Sequence, residues 1–127
     1  MTVQELLDKN MADNERRKKA RLMKQGERIN ASSRRDIDLA LSMIAPFADE
    51  NGDLRTLAHD LAHMKDAETR PEFIARGHAM IAEYGKRKPL RFGNHKHAGN
   101  DALTLMCMAL AVETSDQRIY EKLQKGA

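Results

Sequence analysis

Between Ala102 and Val112 only Thr104 is not apolar. The run is dominated by Leu, Met and Ala, which favour helix, and as a helix its apolar groups point all round the axis. Such a helix needs neighbours on every side, so residues 102–112 predict the central helix of a bundle. Cys107 inside it is expected to be an inert buried thiol, and as the one cysteine it excludes a disulfide within the chain. The run falls well short of the roughly 18 apolar residues that span a bilayer, so no membrane partner is expected.

The partner helices can be read from their punctuation. Ser32 or Ser33 caps a helix over about 34–48, with Ile37, Leu41, Ile44 and Ala48 on one face and Leu39, Ala40, Met43 and Phe47 broadening it. That breadth predicts burial on two sides or a homodimer contact, and Pro46 should kink or end the helix. Asn51-Gly52 marks a turn, with Asp53 as candidate cap for a helix over about 54–65 whose apolar face is Leu54, Leu57, Ala58, Leu61 and Met64. Thr69-Arg-Pro-Glu72 reads as a capping box opening a helix that Gly85 ends, with Phe73, Gly77, Met80, Ile81 and Tyr84 facing the core. Residues 85–100, with Gly85, Pro89, Gly93 and Gly99, read as a loop pinned by Leu90 and Phe92. The last helix then starts at Asn100 or Asp101, with a break near Thr114-Ser115. No period-two alternation marks a strand. The fold class is therefore all-α, a small bundle of four to five helices with a charged N-terminal arm. The arm is 1–31 and the helical body 32–127.

The chain has 41% hydrophobic and 32% charged residues, which suits a modest core and not a wholly disordered chain. Its net charge of +3 hides two basic blocks. Residues 16–35 hold nine bases, Arg16, Arg17, Lys18, Lys19, Arg21, Lys24, Arg28, Arg34 and Arg35, against Glu27. Residues 84–100 hold Lys86, Arg87, Lys88, Arg91 and Lys96 against no acid, while 36–83 hold four bases and ten acids. Concentrated bases are the footprint of a polyanion, because each phosphate neutralised releases condensed counterion. Tyr84, Phe92, His95 and His97 add groups that can stack on unpaired bases, and the glycines allow close approach to a phosphate.

Other constellations are weaker. The helices on either side of 66–69 have helix-turn-helix length, with Arg70 and Arg76 near the reading end, but the segment is acidic and its turn lacks the usual glycine. His59 and His63 stand one helical turn apart, a zinc spacing, yet Asp60 replaces the general-base Glu and both imidazoles point away from the Leu54/Leu57/Leu61 face. Asp66, His78, His95 or His97 would have to supply a further ligand. Asn94-His95-Lys96-His97 has a fragment of nuclease flavour without the residues that complete it.

These readings point to a non-enzymatic, regulatory nucleic-acid-binding protein. The partner expected is a DNA or RNA backbone, met by the 14 bases of the two blocks, with no cofactor and no catalytic residue. The competing expectation is a small helical inhibitor or adaptor, in the manner of phage and mobile-element proteins, whose basic clusters dock on an acidic protein surface. A metal-dependent hydrolase built on His59 and His63 is a minor third reading. The first residues are polar and acidic, so no secretory leader is expected and the cytoplasm is the expected compartment.

Overall fold

The computed structural model describes residues 2–26, 28–87 and 90–126, and over 18–26 the backbone alone. It is all-α, with helices α1 (Val3–Gly26), α2 (Ala31–Ile44), α3 (Gly52–Lys65), α4 (Arg70–Lys86) and α5 (Lys96–Lys125). Short 3-10 turns occupy Ala45–Glu50 and Gly93–His95. Helices α2 to α5 run alternately up and down around one core. Ile37, Ala40 and Ile44 of α2, Leu54, Leu57, Leu61 and Met64 of α3, Phe73 of α4, and Ala102, Met106 and Ala109 of α5 are buried there.

Helices α3 and α4 start where local side chains supply the missing acceptors. Asn51, and not Asp53, caps α3: its side-chain oxygen accepts from the N–H groups of Asp53 at 2.9 Å and Leu54 at 3.1 Å. Thr69 caps α4 as expected, accepting from the Glu72 N–H at 3.3 Å. The Glu72 carboxylate reaches back to the Thr69 backbone N–H as the box requires, and also accepts from the Glu68 N–H at 3.0 Å. That N–H holds the Glu72 carboxyl below its ordinary range, against partial desolvation and with help from the Arg76 guanidinium. Pro46 ends α2 as anticipated, two residues past Ile44 and inside the first turn of the 3-10 segment.

Several boundaries differ from those read in the sequence. Neither Ser32 nor Ser33 caps α2; the N-cap position is Asn30, whose side chain points elsewhere. Helix α4 passes through Gly85 to Lys86. Helix α5 begins at Lys96 and runs unbroken through Thr114-Ser115, where the Thr114 hydroxyl donates to the Leu110 carbonyl at 2.7 Å without interrupting the helix. Gly99, read as loop, lies inside this helix. A Cβ there would sit 2.3 to 2.7 Å from the Phe92 ring, so only glycine lets Phe92 reach the core. Gly93 supplies the one left-handed turn among the described residues, at φ +56°, just before α5.

Of two expectations about burial, all-round burial of α5 is overturned, whereas burial of α2 on two sides is met, since α2 packs between α5 and α3. Helix α5 is covered on one side by α2 and α4, but Met108 and Val112 on its outer side are about half exposed, and Cys107 is exposed. A run that is apolar all round carries no information on which flank the neighbours reach. The broad face of α2 is spent inside the body, leaving Leu39 as its one exposed large apolar group.

The body holds a buried polar node that local sequence patterns did not reveal. Glu113 of α5 is fully buried. Its carboxylate accepts from the Asn30 N–H at 2.8 Å, the Asn30 side-chain amide at 2.6 Å and the Ser33 hydroxyl at 3.0 Å. It also lies 3.5 Å from Nε of the buried Arg70. Asp116 accepts a further bond from the Asn30 amide at 2.7 Å. A buried carboxylate is tolerated only when its lone pairs are met in this way. The node ties the starts of α2 and α4 to α5, and with buried Ile29 it brings residues 29 and 30, inside the segment read as arm, onto the body.

Candidate nucleic-acid interface

The first basic block divides between α1 and the root of α2. Helix α1 makes little contact with the body, touching only α5 to any extent. Arg16 and Arg17 are exposed on it, and Arg16 pairs with Asp13 one turn earlier. Its thin apolar stripe is exposed as well: Val3, Leu6, Leu7 and Met11 are each at least half in solvent. Arg28, Arg34 and Arg35 stand exposed around the start of α2. Arg34 is partly committed, since Nη2 donates to the Ala67 carbonyl at 3.1 Å and holds α2 to the α3–α4 connection. The side chains of Lys18, Lys19, Arg21 and Lys24, and residue Lys88, lie outside the described residues.

The second block is held quite differently. Asn51 and Asp53 at the start of α3 grip the backbone of Arg91: the Asn51 amide donates to its carbonyl at 2.9 Å, and its N–H donates to the Asp53 carboxylate at 2.9 Å. Phe92 is buried, and Leu90 packs against the core as the sequence suggested. His95 stacks on Phe47, with ring centroids 4.2 Å apart and planes 14° from parallel, and its Nε2 lies 2.7 Å from the Glu50 carboxylate. Acidic groups therefore fix the backbone of this segment, while the side chains of Lys86, Arg87, Arg91 and Lys96 stay exposed.

The stacking groups expected beside these bases are mostly unavailable. Tyr84 is buried, and its hydroxyl donates to Asp60 at 3.3 Å. Burial first, and then the Asp60 carboxylate, pushes this phenol well above its ordinary value of 10. Phe92 is in the core and His95 is taken by Phe47, which leaves His97 exposed. Gly99 approaches Phe92 and not a ligand.

The two blocks lie at opposite ends of the body. The root of the first is at Glu113, while the second surrounds the start of α5. Helix α5 rises about 26 Å between Lys96 and Glu113 at 1.5 Å per residue. Beyond Glu113, Thr114, Asp116, Gln117 and Tyr120 are still half-buried, and from Glu121 on α5 overhangs the body; α1 leaves from the same end.

The other candidates fare less well. Arg70 is buried in the Glu113 node, while Arg76 donates to the His63 carbonyl at 2.7 Å and pairs with Glu72 at 2.6 Å. Neither is presented as a reading-helix side chain would be. His59 and His63 are exposed on α3. His63 borders an open hollow with Asp60, Arg76 and Glu83, but among the described residues no three His, Cys, Asp or Glu groups come together to hold a metal ion. No described helix is long and apolar enough to cross a membrane. Compared with known protein families, curated proteins and solved structures, the chain shows no significant match.

Proposed function

We propose that this is a non-enzymatic nucleic-acid-binding protein that contacts the phosphate backbone through the two basic segments. The observation that carries the reading is the state of the bases themselves. Arg17, Arg28, Arg35, Lys86, Arg87 and Lys96 are all exposed, and none forms an ion pair with a described acid. Four acids of the body are engaged with other groups: Asp38 with Lys65, Glu72 with Arg76, Glu50 with His95, and Asp53 with the Arg91 backbone. Unneutralised bases at both ends of the body suit a partner that brings its own negative charge. With the aromatic groups engaged internally, contact is to phosphates more than to stacked bases, so sequence preference is weak.

Binding to labelled duplex DNA, single-stranded DNA and RNA across a salt series tests this. Affinity should fall steeply with salt, by a slope of about −0.9 for each duplex phosphate neutralised. Arg17→Glu/Arg28→Glu and Lys86→Glu/Arg87→Glu should each flatten that slope. Absence of binding at physiological salt sinks the reading.

A second reading has an observation of its own. Phosphates do not cover the stripe Val3, Leu6, Leu7 and Met11, whereas a protein groove does. On that reading the chain is a small inhibitor or adaptor, and its bases meet an acidic protein surface. Nucleic-acid binding that is absent at all salt concentrations favours it.

A further inference from the structure

Two apolar stripes in this chain are exposed, and they carry opposite charge. On α5, Leu105, Met108, Val112, Ile119 and Leu123 fall within about 60° of one another at 100° per residue, along the flank away from α4. Leu105 is half-buried, and the other four are 44 to 68% exposed. The end of α5 that carries the last part of this stripe has Lys122 and Lys125, with Arg118 on the side towards His78 of α4, against Asp116 and Glu121. On α1, the stripe Val3, Leu6, Leu7 and Met11 belongs to a half that has Glu5, Asp8, Asp13 and Glu15 against Lys9. An acidic amphipathic helix and a basic apolar flank are complementary in both hydrophobicity and charge.

Length decides whether they meet within one chain. Measured from Gly26, at the anchored end of α1, Met11 and Val3 lie about 22 and 35 Å away along the helix. Measured from Glu113, where the chain entering α2 is tied down, Met108 and Leu123 lie only about 8 and 15 Å away along α5. A straight α1 laid on its own α5 carries its apolar half beyond the exposed stripe. Laid along the end of α5, it also sets its basic half, residues 16–24, beside Lys122 and Lys125. Neither problem arises when the N-terminal half of α1 comes from another molecule.

We infer that the chain forms a homodimer by reciprocal exchange, the acidic N-terminal half of α1 in each copy covering the apolar flank of α5 in the other. The contact is isologous and is used twice, and it leaves the basic half of α1 free. It does not depend on nucleic-acid binding and is read in its absence.

The test is the mass in solution of the full-length chain, by sedimentation or light scattering, over a dilution series. The wild type should be a dimer. Leu7→Glu/Met11→Glu damages only α1, and Ile119→Glu/Leu123→Glu damages only α5. All four positions are exposed, so each variant should keep the wild-type circular dichroism and be a monomer. Mixed together, the two monomeric variants should form a 1:1 dimer, because one intact α1 meets one intact α5. Glu5→Lys/Asp8→Lys should weaken the dimer, and adding Lys122→Glu/Lys125→Glu should restore it. A wild type that is monomeric at its highest soluble concentration overturns the inference. So does a dimer indifferent to these substitutions, or a pair of variants that fails to complement, since α1–α1 or α5–α5 contacts would not be rescued by mixing.

Discussion

Helix α1 and the segment 90–96 are both basic stretches of the same chain, yet they are held in opposite ways. The first is a regular helix that buries almost none of its described side chains and touches little of the body. The second is largely irregular, yet Phe92, Asn51, Asp53 and the Phe47–His95–Glu50 contacts hold it in place. Regular hydrogen bonding inside a segment and attachment of that segment to a core are separate matters. A polar helix satisfies its own backbone without burying anything, whereas an irregular segment has to find its backbone partners elsewhere. The acids that hold 90–96 act on its backbone and on His95, so the segment is fixed without its lysine and arginine charge being cancelled.

The sharpest way to break this contrast is at the point where the arm joins the body. Glu113→Ala removes the acceptor shared by Asn30, Ser33 and Arg70, leaving Asp116, 4.0 Å from the buried guanidinium, as an acid beside it. Breaking a buried pair from one side costs about 3–5 kcal/mol. Urea unfolding should show that loss as a lower midpoint, and the start of α2 should become sensitive to protease. A midpoint within error of wild type would mean that the node does not anchor the arm.

The second segment can be turned into something like the first. Alanine is normally better than glycine in a helix by about 0.5–1 kcal/mol, but at Gly99 its Cβ would overlap the Phe92 ring. Gly99→Ala should therefore destabilise, by about 1–3 kcal/mol as in other overpacked cores, and should push Phe92 outward. Cleavage by trypsin after Arg91 should rise at the same time. A stabilised Gly99→Ala variant would show that Phe92 does not need this contact.

How much of this was legible depended on the reach of each interaction. The start of α4 was visible because Thr69, Pro71 and Glu72 act on N–H groups within four residues. The core faces of α3 and α4 were visible because periodicity is local, with Ile81 the member that stays 40% exposed. The Glu113 node was not visible, because its partners Asn30 and Ser33 are 83 and 80 residues away. The start of α5 was misplaced because Gly99 resembles a loop glycine until Phe92 is seen against it. The candidate site divides along the same line. The bases could be counted in the sequence, but the internal use of Tyr84, Phe92 and His95 follows from Asp60, Gly99 and Phe47, and no spacing rule connects those residues.

A smaller effect tests the frame on which the second segment sits. Tyr84 precedes that segment, and its hydroxyl bonds Asp60 of α3. The folded state holds the phenol above its ordinary value of 10, so the stabilisation is complete below pH 10 and is lost as pH rises towards the folded value. Tyr84→Phe should cost about 0.5–1.5 kcal/mol at neutral pH and reduce the decline of stability above pH 10. An unchanged alkaline decline would assign it to other groups.

The smallest expected effect is also the most direct probe of the contrast. Removing residues 1–28 discards a whole helix, but Ile29 and Asn30 keep their places in the body. Because surface elements without buried contacts contribute within about 0.5 kcal/mol, the unfolding midpoint should hardly move at concentrations where the wild type is a monomer. Removing two residues more takes away Ile29 and both Asn30 bonds to Glu113, and there the midpoint should fall clearly. The step between the two truncations is the quantity of interest. If stability is lost already with residues 1–28, α1 is supporting the body, and its exposed stripe has to be packed in solution. In a concentration series, a loss that appears only where the wild type is dimeric would trace that packing to the second copy.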